Sequence, residues 1–238
     1  TTINLAAWLA EFGKRVLIVD IDPQGNASSG LGVDYKNLNK GIYEVLIDPN
    51  TKITEVIRSY KPNFHILPST PDLAGAAVDL VEVDNREFKL SENLQDIIDL
   101  YDYILIDNPP SLGLLTINGL VAAREVLIPV QCEYYALEGL SQLLNTINLI
   151  REHLQPELKI LGAVMTMYDP RNKLSNDVFH ELYKYFPERI FRSVIPRNVR
   201  VAEAPSHGLS IKDYQPDSVG AKAYRRLAQE IIFNHHKK

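Results

Sequence analysis

The sequence predicts an α/β protein with a doubly wound, mostly parallel sheet and helices on both faces. Two apolar runs, 16–19 and 103–106, each end in an aspartate, Asp20 and Asp107. Runs this rich in aliphatic and β-branched residues are typical of parallel strands covered on both faces. Strand and helix patterns alternate along the rest of the chain, as in doubly wound sheets. We therefore expect one domain over residues 1–238.

Each predicted element has a local reason. The first helix carries Ile3, Ala6 and Ala10 on one face and stops at Gly13. Pro71 suits a helix start. We predict strands over 16–21, 64–68, 103–107, 125–130, 159–165 and 191–195. We predict helices over 2–12, 42–46, 53–58, 71–81, 87–100, 112–123, 136–153, 174–185 and 218–233, with a Gly-rich loop over 27–41.

Composition excludes several classes of protein. The 238 residues are 45% hydrophobic and 23% charged, which is ordinary for a globular protein. The only cysteine, Cys132, cannot form an internal disulfide, so a reducing cytoplasm is expected. No apolar run reaches the roughly 18 residues that a membrane-spanning helix needs. We expect a cytoplasmic protein without membrane contact.

Charge is distributed unevenly along the chain. Residues 1–150 carry 10 Lys or Arg against 20 Asp or Glu, whereas residues 151–238 carry 15 against 10. The last third of the chain therefore has a net positive charge, whereas the rest of the chain has a net negative charge. This pattern permits contact with a polyanion such as DNA, although scattered surface charge explains any single basic residue equally well.

The chemistry is predicted at the carboxyl ends of the two apolar strands. Asp20 and Asp22 leave the first strand and Asp107 leaves the second, so parallel pairing would bring the acids to one sheet edge. One carboxylate suits a hydrated Mg²⁺, and another suits a water that must be oriented and deprotonated. A nucleotide phosphate site has both needs, yet no GxxxxGK[ST] loop occurs in the sequence. The alternative is a solvated strand end with an aspartate as a cap.

Five segments carry a family resemblance. They are 2–32 with VLIVDIDPQGN, YDYILIDNPPSLGLLTINGL at 101–120, VLIPVQCEYYALEGL at 126–140, GAVMTMYDPRN at 162–172 and VIPRNVRVAEAPSHG at 194–208. In this order they resemble the ParA/Soj branch of the deviant Walker A ATPases, relatives of MinD and nitrogenase iron protein. The resemblance implies a P-loop NTPase-like fold that binds ATP and Mg²⁺.

In that family a phosphate-binding loop of the form KGGVGKTTT precedes the first helix. Thr1 would match the last threonine of that loop, so the resemblance implies a chain truncated before its first strand. We expect a gap in the middle of the sheet and no ATPase activity from residues 1–238 alone.

The resemblance also implies roles for individual residues. Asp22 would position and activate the attacking water, Asp20 would lie near the metal, and Asp107 would hold Mg²⁺ through water. Pro109, Pro110 and Ser111 match the switch that senses the γ-phosphate, and Asn108 departs from the family pattern. The residues that match the loops over the adenine are Met167, Pro196, Arg197 and Asn198. The residues that match the dimer interface are Glu133, Tyr134 and Tyr135.

The function implied is DNA partitioning by an ATPase. ATP would join two protomers into a homodimer that binds DNA non-specifically on the nucleoid, and a centromere-binding, ParB-like partner would accelerate hydrolysis. The DNA-binding candidates, chosen by charge and approximate position, are Arg192, Arg200, Lys212, Arg225 and Arg226.

Two alternatives stay open at this point. A nucleoid-based ATPase that positions another cargo would use the same cycle with a different partner. A non-enzymatic interaction module would fit if the chain naturally began at Thr1. A MinD-like membrane shuttle is disfavoured, because the last helix has a narrow apolar face that includes alanines.

Overall fold

The structure, a computed structural model, describes residues 1–133, 136–172, 178, 180–184, 186 and 189–236. The strands are β1 Val16–Asp20, β2 Arg58–Lys61, β3 Phe64–Leu67, β4 Tyr103–Asp107, β5 Glu125–Gln131 and β6 Lys159–Thr166. The helices are α1 Thr2–Glu11, α2 Asn26–Gly30, α3 Ile42–Ile47, α4 Ile53–Val56, α5 Ala76–Asp79, α6 Lys89–Leu94, α7 Leu114–Ala122, α8 Ala136–His153, α9 Val199–Glu203, α10 Ile211–Tyr214 and α11 Val219–His236.

Strand β1 lies at the centre of a four-stranded sheet. The strand order is β2-β3-β1-β4, with β1 parallel to both neighbours and β2 antiparallel at the edge. Strands β5 and β6 form a second, parallel sheet. The predicted α/β class with a mostly parallel sheet is confirmed.

Both faces of β1 are buried because its side chains alternate between two core clusters. One cluster contains Val16 and Ile18 together with residues of α1 and α11. The other contains Leu17, Val19 and Ile21 together with residues of α3 and α6. The continuous aliphatic run thus covers two faces at once, as expected for an interior parallel strand.

A cavity of about 1010 Å³ separates the two sheets. Its walls include β4 on one side and β5 on the other, with Leu5 and Leu9 of α1 between them. At the amino ends of β4 and β5, the terminal helix bridges the cavity. His235 Nδ1 lies 3.1 Å from the Tyr103 hydroxyl, and His235 Nε2 lies 2.7 Å from a carboxylate oxygen of Glu125.

Several predicted elements differ from the structure. The expected loop over 27–41 contains α2, since the Asp20 carboxylate holds the start of that helix. The helix expected over 53–58 ends at Val56, and Arg58 begins β2. The helix expected over 87–100 is a short α6 followed by a separate 3-10 turn.

The carboxyl-terminal part also differs in detail. Residues 191–195 form no strand of their own, although Ile190 and Pro196 make isolated parallel bridges to Ala163 and Tyr168. Of the helix predicted over 174–185, the described residues 178 and 180–184 are helical, and the others lie outside the part of the chain that the structure describes. None of the helices that the structure describes has the length and apolar character to cross a bilayer.

Candidate functional site

The candidate site lies where β1, β3 and β4 end. Asp20 and Asp107 are register partners in the parallel pair, and the Ile21 amide donates to the Asp107 carbonyl at 3.1 Å. Asp22 follows two residues after Asp20. The prediction that these acids reach one edge of the sheet is confirmed, whereas their chemical roles stay predictions.

Asp107 lines the cavity and accepts a hydrogen bond from the start of α1. The Thr2 hydroxyl donates to Asp107 Oδ1 at 2.5 Å, which fixes the carboxylate against the start of α1. Asp107, Asn108, Pro109 and Thr1 all line the cavity. Of the predicted nucleotide-binding residues, Thr1 and Pro109 therefore share this space with the metal candidate.

Asp22 is carried on a tight turn. The Gly25 amide donates to the Asp22 carbonyl at 2.9 Å, and the Gln24 amide donates to Asp22 Oδ1 at 3.0 Å. Gly25 has φ +60°, and a β-carbon there would lie 2.6 Å from the Tyr35 ring. Only glycine fits this turn without strain, so the PQG sequence fixes the direction in which Asp22 leaves the strand.

Asp20 is an internal anchor in this structure. Its Oδ2 accepts from the Ser28 amide at 2.7 Å and from the Ser28 hydroxyl at 2.6 Å, and its Oδ1 accepts from the Asp22 amide at 3.3 Å. Burial raises the pKa of Asp20 to about 6, although the Ser28 hydrogen bonds oppose that rise. Because both oxygens are occupied, this arrangement favours an anchoring role over metal binding or catalysis.

The residues fit a hydrated Mg²⁺ better than a fully coordinated metal. Among the residues that the structure describes, no group of three or more Asp, Glu, His or Cys side chains could enclose an ion. Magnesium usually keeps several waters and takes only one or two carboxylates. The Asp107 carboxylate, at the edge of the cavity, meets this requirement.

Met167, Pro196, Arg197 and Asn198 form a second group at the carboxyl end of β6. The Arg197 amide donates to the Tyr168 carbonyl at 3.0 Å, and the Arg197 guanidinium pairs with Glu133 at 3.2 Å. Met167 is exposed and has φ +53°, an uncommon conformation for a non-glycine residue. This group does not line the cavity beside Asp107. Tyr134 and Tyr135 lie outside the described residues.

Asn198 has a structural task as well. Its side-chain oxygen accepts from the Val201 amide at 3.2 Å and so caps α9. The side chain of Asn198 is therefore held in place by the helix that it begins.

The DNA-binding candidates differ in their surroundings. Arg192, Arg200, Arg225 and Arg226 are exposed, although Arg200 pairs with Glu203 at 2.8 Å. The Lys212 side chain is only 18% exposed and pairs with Glu11 at 2.6 Å. Lys212 is therefore a poor candidate, because its charge is already neutralised inside the fold.

Sequence reasoning missed Ser28, Ser69, Thr2 and Lys222. Lys222 is exposed on α11 three and four residues before Arg225 and Arg226, so the three share one helix face. The helical spacing could have revealed Lys222. An isolated serine in a turn carries no such signal.

Comparisons with known proteins agree with this geometry. A family model described as an AAA domain matches residues 1–160. The chain is 51% identical to the sporulation initiation inhibitor protein Soj of Bacillus subtilis, covering 98% of this chain and 92% of that protein. It is 49% identical to the chromosome partitioning protein ParA of Myxococcus xanthus, covering 98% and 82%.

Solved structures of related fold are also similar. A cobyrinic acid a,c-diamide synthase from Mycobacterium smegmatis with bound ATP analog and magnesium has a TM-score of 0.85 and 35% identity, covering 100% of this chain and 89% of that chain. The cell division ATPase MinD of Pyrococcus furiosus has a TM-score of 0.77 and 27% identity, covering 98% and 92%.

Because the pKa of Asp20 is raised, we expect the free energy of unfolding to depend on pH. The folded protein holds the Asp20 proton more tightly than the unfolded chain does, so ionisation between about pH 4 and 6 lowers the free energy of unfolding, on the order of 3 kcal/mol. The Asp20→Asn variant has no carboxyl group to ionise at this position and so lacks this pH dependence. Urea unfolding from pH 4 to 7 should give a flatter profile for Asp20→Asn than for the wild type, and identical profiles would contradict the prediction.

The Asn108 side chain occupies the space beside Gly119 of α7. A β-carbon on Gly119 would lie 2.0 Å from Asn108 Oδ1, and the Asn108 amide nitrogen donates to the Ile106 carbonyl at 3.2 Å. Gly→Ala inside a helix normally stabilises by about 1 kcal/mol. Gly119→Ala should show that gain only together with Asn108→Ala, because the new methyl group otherwise displaces the amide.

A double-mutant cycle measures this coupling. We expect an interaction free energy of about 0.5–1 kcal/mol between the two substitutions in chemical unfolding. Gly139→Ala is the control, since a β-carbon at this α8 position meets no atom within 4 Å. Its effect should be the same with and without Asn108. Additive effects of Gly119→Ala and Asn108→Ala would rule the coupling out.

Proposed function

Because the chain belongs to the Soj/ParA family of chromosome-partitioning ATPases, we propose that it hydrolyses ATP in a cycle that segregates DNA. The observation that carries this proposal is the placement of Asp107 at the end of β4, where it lines the cavity, with Asp22 on the turn two residues after Asp20, the register partner of Asp107. Retention of both acids favours an ATPase over a non-enzymatic module. Relatives of about 50% identity that are named for chromosome partitioning favour DNA over another cargo.

The roles of the two acids follow from their environments. Asp22 is held by its turn and would orient the attacking water and accept its proton. Asp107 would hold hydrated Mg²⁺, which when bound neutralises charge on the phosphates. The Thr2 hydroxyl keeps the Asp107 carboxylate in place. The segment Pro109–Ser111, directly after Asp107, would respond to the γ-phosphate.

A strand from outside residues 1–238 would complete the sheet. The cavity walls include β4 and β5, whose facing sides carry no partner strand among the described residues, and Ile104, Leu105, Leu127 and Ile128 of these strands line the space between them. A parallel strand inserted there would satisfy both backbone edges. Such a strand could bring a phosphate-binding loop to Thr1, next to Asp107, and would account for the missing GxxxxGK[ST] sequence.

The group at the end of β6 would close over the base of the nucleotide. Met167 is exposed in an uncommon backbone conformation, and such outliers are frequent at ligand sites. Arg197 links this group to Glu133, so the base-binding loops and the segment expected at the homodimer interface are joined by an ion pair.

The DNA-binding surface would run along α11. Lys222, Arg225 and Arg226 lie on one exposed face, and the Arg192 amide binds Glu230 on the same helix. Arg225 also lies over the Trp8 ring at 5.7 Å, which supports its side chain. Neutralisation of phosphates by such a row gives affinity without sequence preference. Dimerisation on ATP would double the surface, and a ParB-like partner would stimulate hydrolysis and release.

The first test concerns turnover. In the protein with its phosphate-binding loop, Asp22→Ala should retain ATP binding and ATP-dependent DNA association but lose about 10²- to 10⁴-fold in kcat, because no base orients the water. Exposed Asp96 provides the control, and Asp96→Ala should hydrolyse ATP normally. Wild-type turnover by Asp22→Ala would disprove the role of Asp22.

The second test concerns the basic face of α11. Replacing Arg225 and Arg226 with Gln keeps much of their aliphatic packing and removes two charges. The slope of log affinity against log salt should fall by about 0.9 for each lost phosphate contact. Lys36→Gln with Lys52→Gln removes the same charge from exposed sites elsewhere and should leave the slope unchanged. Equal slopes for both double variants would exclude this face.

A further inference from the structure

A buried hydrogen-bond chain joins the ends of β1 and β3 beneath the Asp22 turn. The Ser28 hydroxyl donates to Asp20 and accepts from the Ser69 amide at 3.0 Å. The Ser69 hydroxyl then donates to the Asp22 main-chain carbonyl at 2.8 Å. This series of hydrogen bonds thus runs from Asp20 through Ser28 and Ser69 to the main chain of Asp22.

This network is sealed from solvent. Asp20, Ser28 and Ser69 have 0% relative exposure, and Asp22 has 7%. Every hydroxyl in the network has a partner inside the protein. Buried polar groups in such a connected set specify one arrangement, because leaving any of them unpaired carries a desolvation penalty.

Ser69 lies two residues after the end of β3 and links this second segment to the network. The Asp22 carbonyl accepts from Gly25 within its own turn and from Ser69 after β3, so two donors from different segments fix the same peptide group. Removal of the Ser69 hydroxyl would take away the hydrogen bond from the β3 side to the Asp22 carbonyl, although the Ser69 amide would still donate to Ser28. The direction of the Asp22 side chain depends on this peptide group.

We propose that Ser69 is a positioning residue for hydrolysis, which holds the Asp22 main chain so that the Asp22 carboxylate meets the attacking water. This inference rests on the proposed function of Asp22. Ser69 itself touches neither nucleotide nor water in this role. A displacement of about 1 Å in a reacting group can cost on the order of 10² in rate, so a modest shift of the turn would suffice.

Thr70 offers a matched control one residue away. It is equally buried, yet its hydroxyl has no hydrogen-bond partner among the described residues. Thr70→Val therefore removes a buried hydroxyl without breaking the network. Comparison with Ser69→Ala separates positioning from a general effect of altering this segment.

Two measurements test the proposal. In Ser69→Ala, hydrogen exchange at the amides of residues 22 and 24–28 should become at least 10-fold faster, whereas Thr70→Val should match the wild type. In the protein with its phosphate-binding loop, Ser69→Ala should lower kcat by 10- to 100-fold with KM for ATP within twofold of the wild-type value. Ser69→Cys, with similar volume and a weaker donor, should fall between Ser69→Ala and the wild type, and it replaces Ser69→Ala if that variant fails to fold.

The outcomes separate this inference from the function on which it rests. Normal kcat in Ser69→Ala together with lost turnover in Asp22→Ala would overturn the role of Ser69 alone. Equal loss of kcat in Ser69→Ala and Thr70→Val would also overturn it, since the effect would not follow the hydrogen bond. Wild-type turnover in Asp22→Ala would instead overturn the proposed function itself, while faster exchange in Ser69→Ala would still establish the structural link.

Discussion

The parallel pairing of β1 with β4 is the constraint on which the rest of the site depends. Burial of β1 on both faces leaves its register little freedom, since a slip of one residue would exchange the side chains of its two core clusters. That register places Asp20 opposite Asp107. The aliphatic side chains of β1 therefore determine where the two acids lie. The hydrogen bonds at the strand ends then set the orientation of each carboxylate.

Two aspartates separated by one residue have different tasks because of their surroundings. The buried Asp20 carboxylate accepts hydrogen bonds from the Ser28 amide and hydroxyl. Asp22 instead lies beyond the end of β1, on a turn shaped by Gly25. The alternation of side chains along a strand does not by itself distinguish an anchor from a reacting group. The distinction arises from which acid meets donors supplied by α2.

Much of the fold could be predicted from the sequence, because long aliphatic runs and alternating patterns are strong local signals. The strands at 16–20 and 103–107 and the family resemblance are confirmed. Helix α2 was missed because Asn, Ser and Gly favour loops, and its start is held by a tertiary contact with Asp20. Ser69 was missed because its partner lies 47 residues away, and no local pattern records such a contact.

The contact between the first and last described helices has a consequence for folding. Helix α1 packs on α11, and His235 near the end of α11 joins β4 to β5. These contacts join segments that lie far apart in the sequence, so each of them closes a long loop. Because the entropic cost of loop closure precedes the contacts that repay it, we expect α11 to dock late and the two sheets to reach their final relation only in that step.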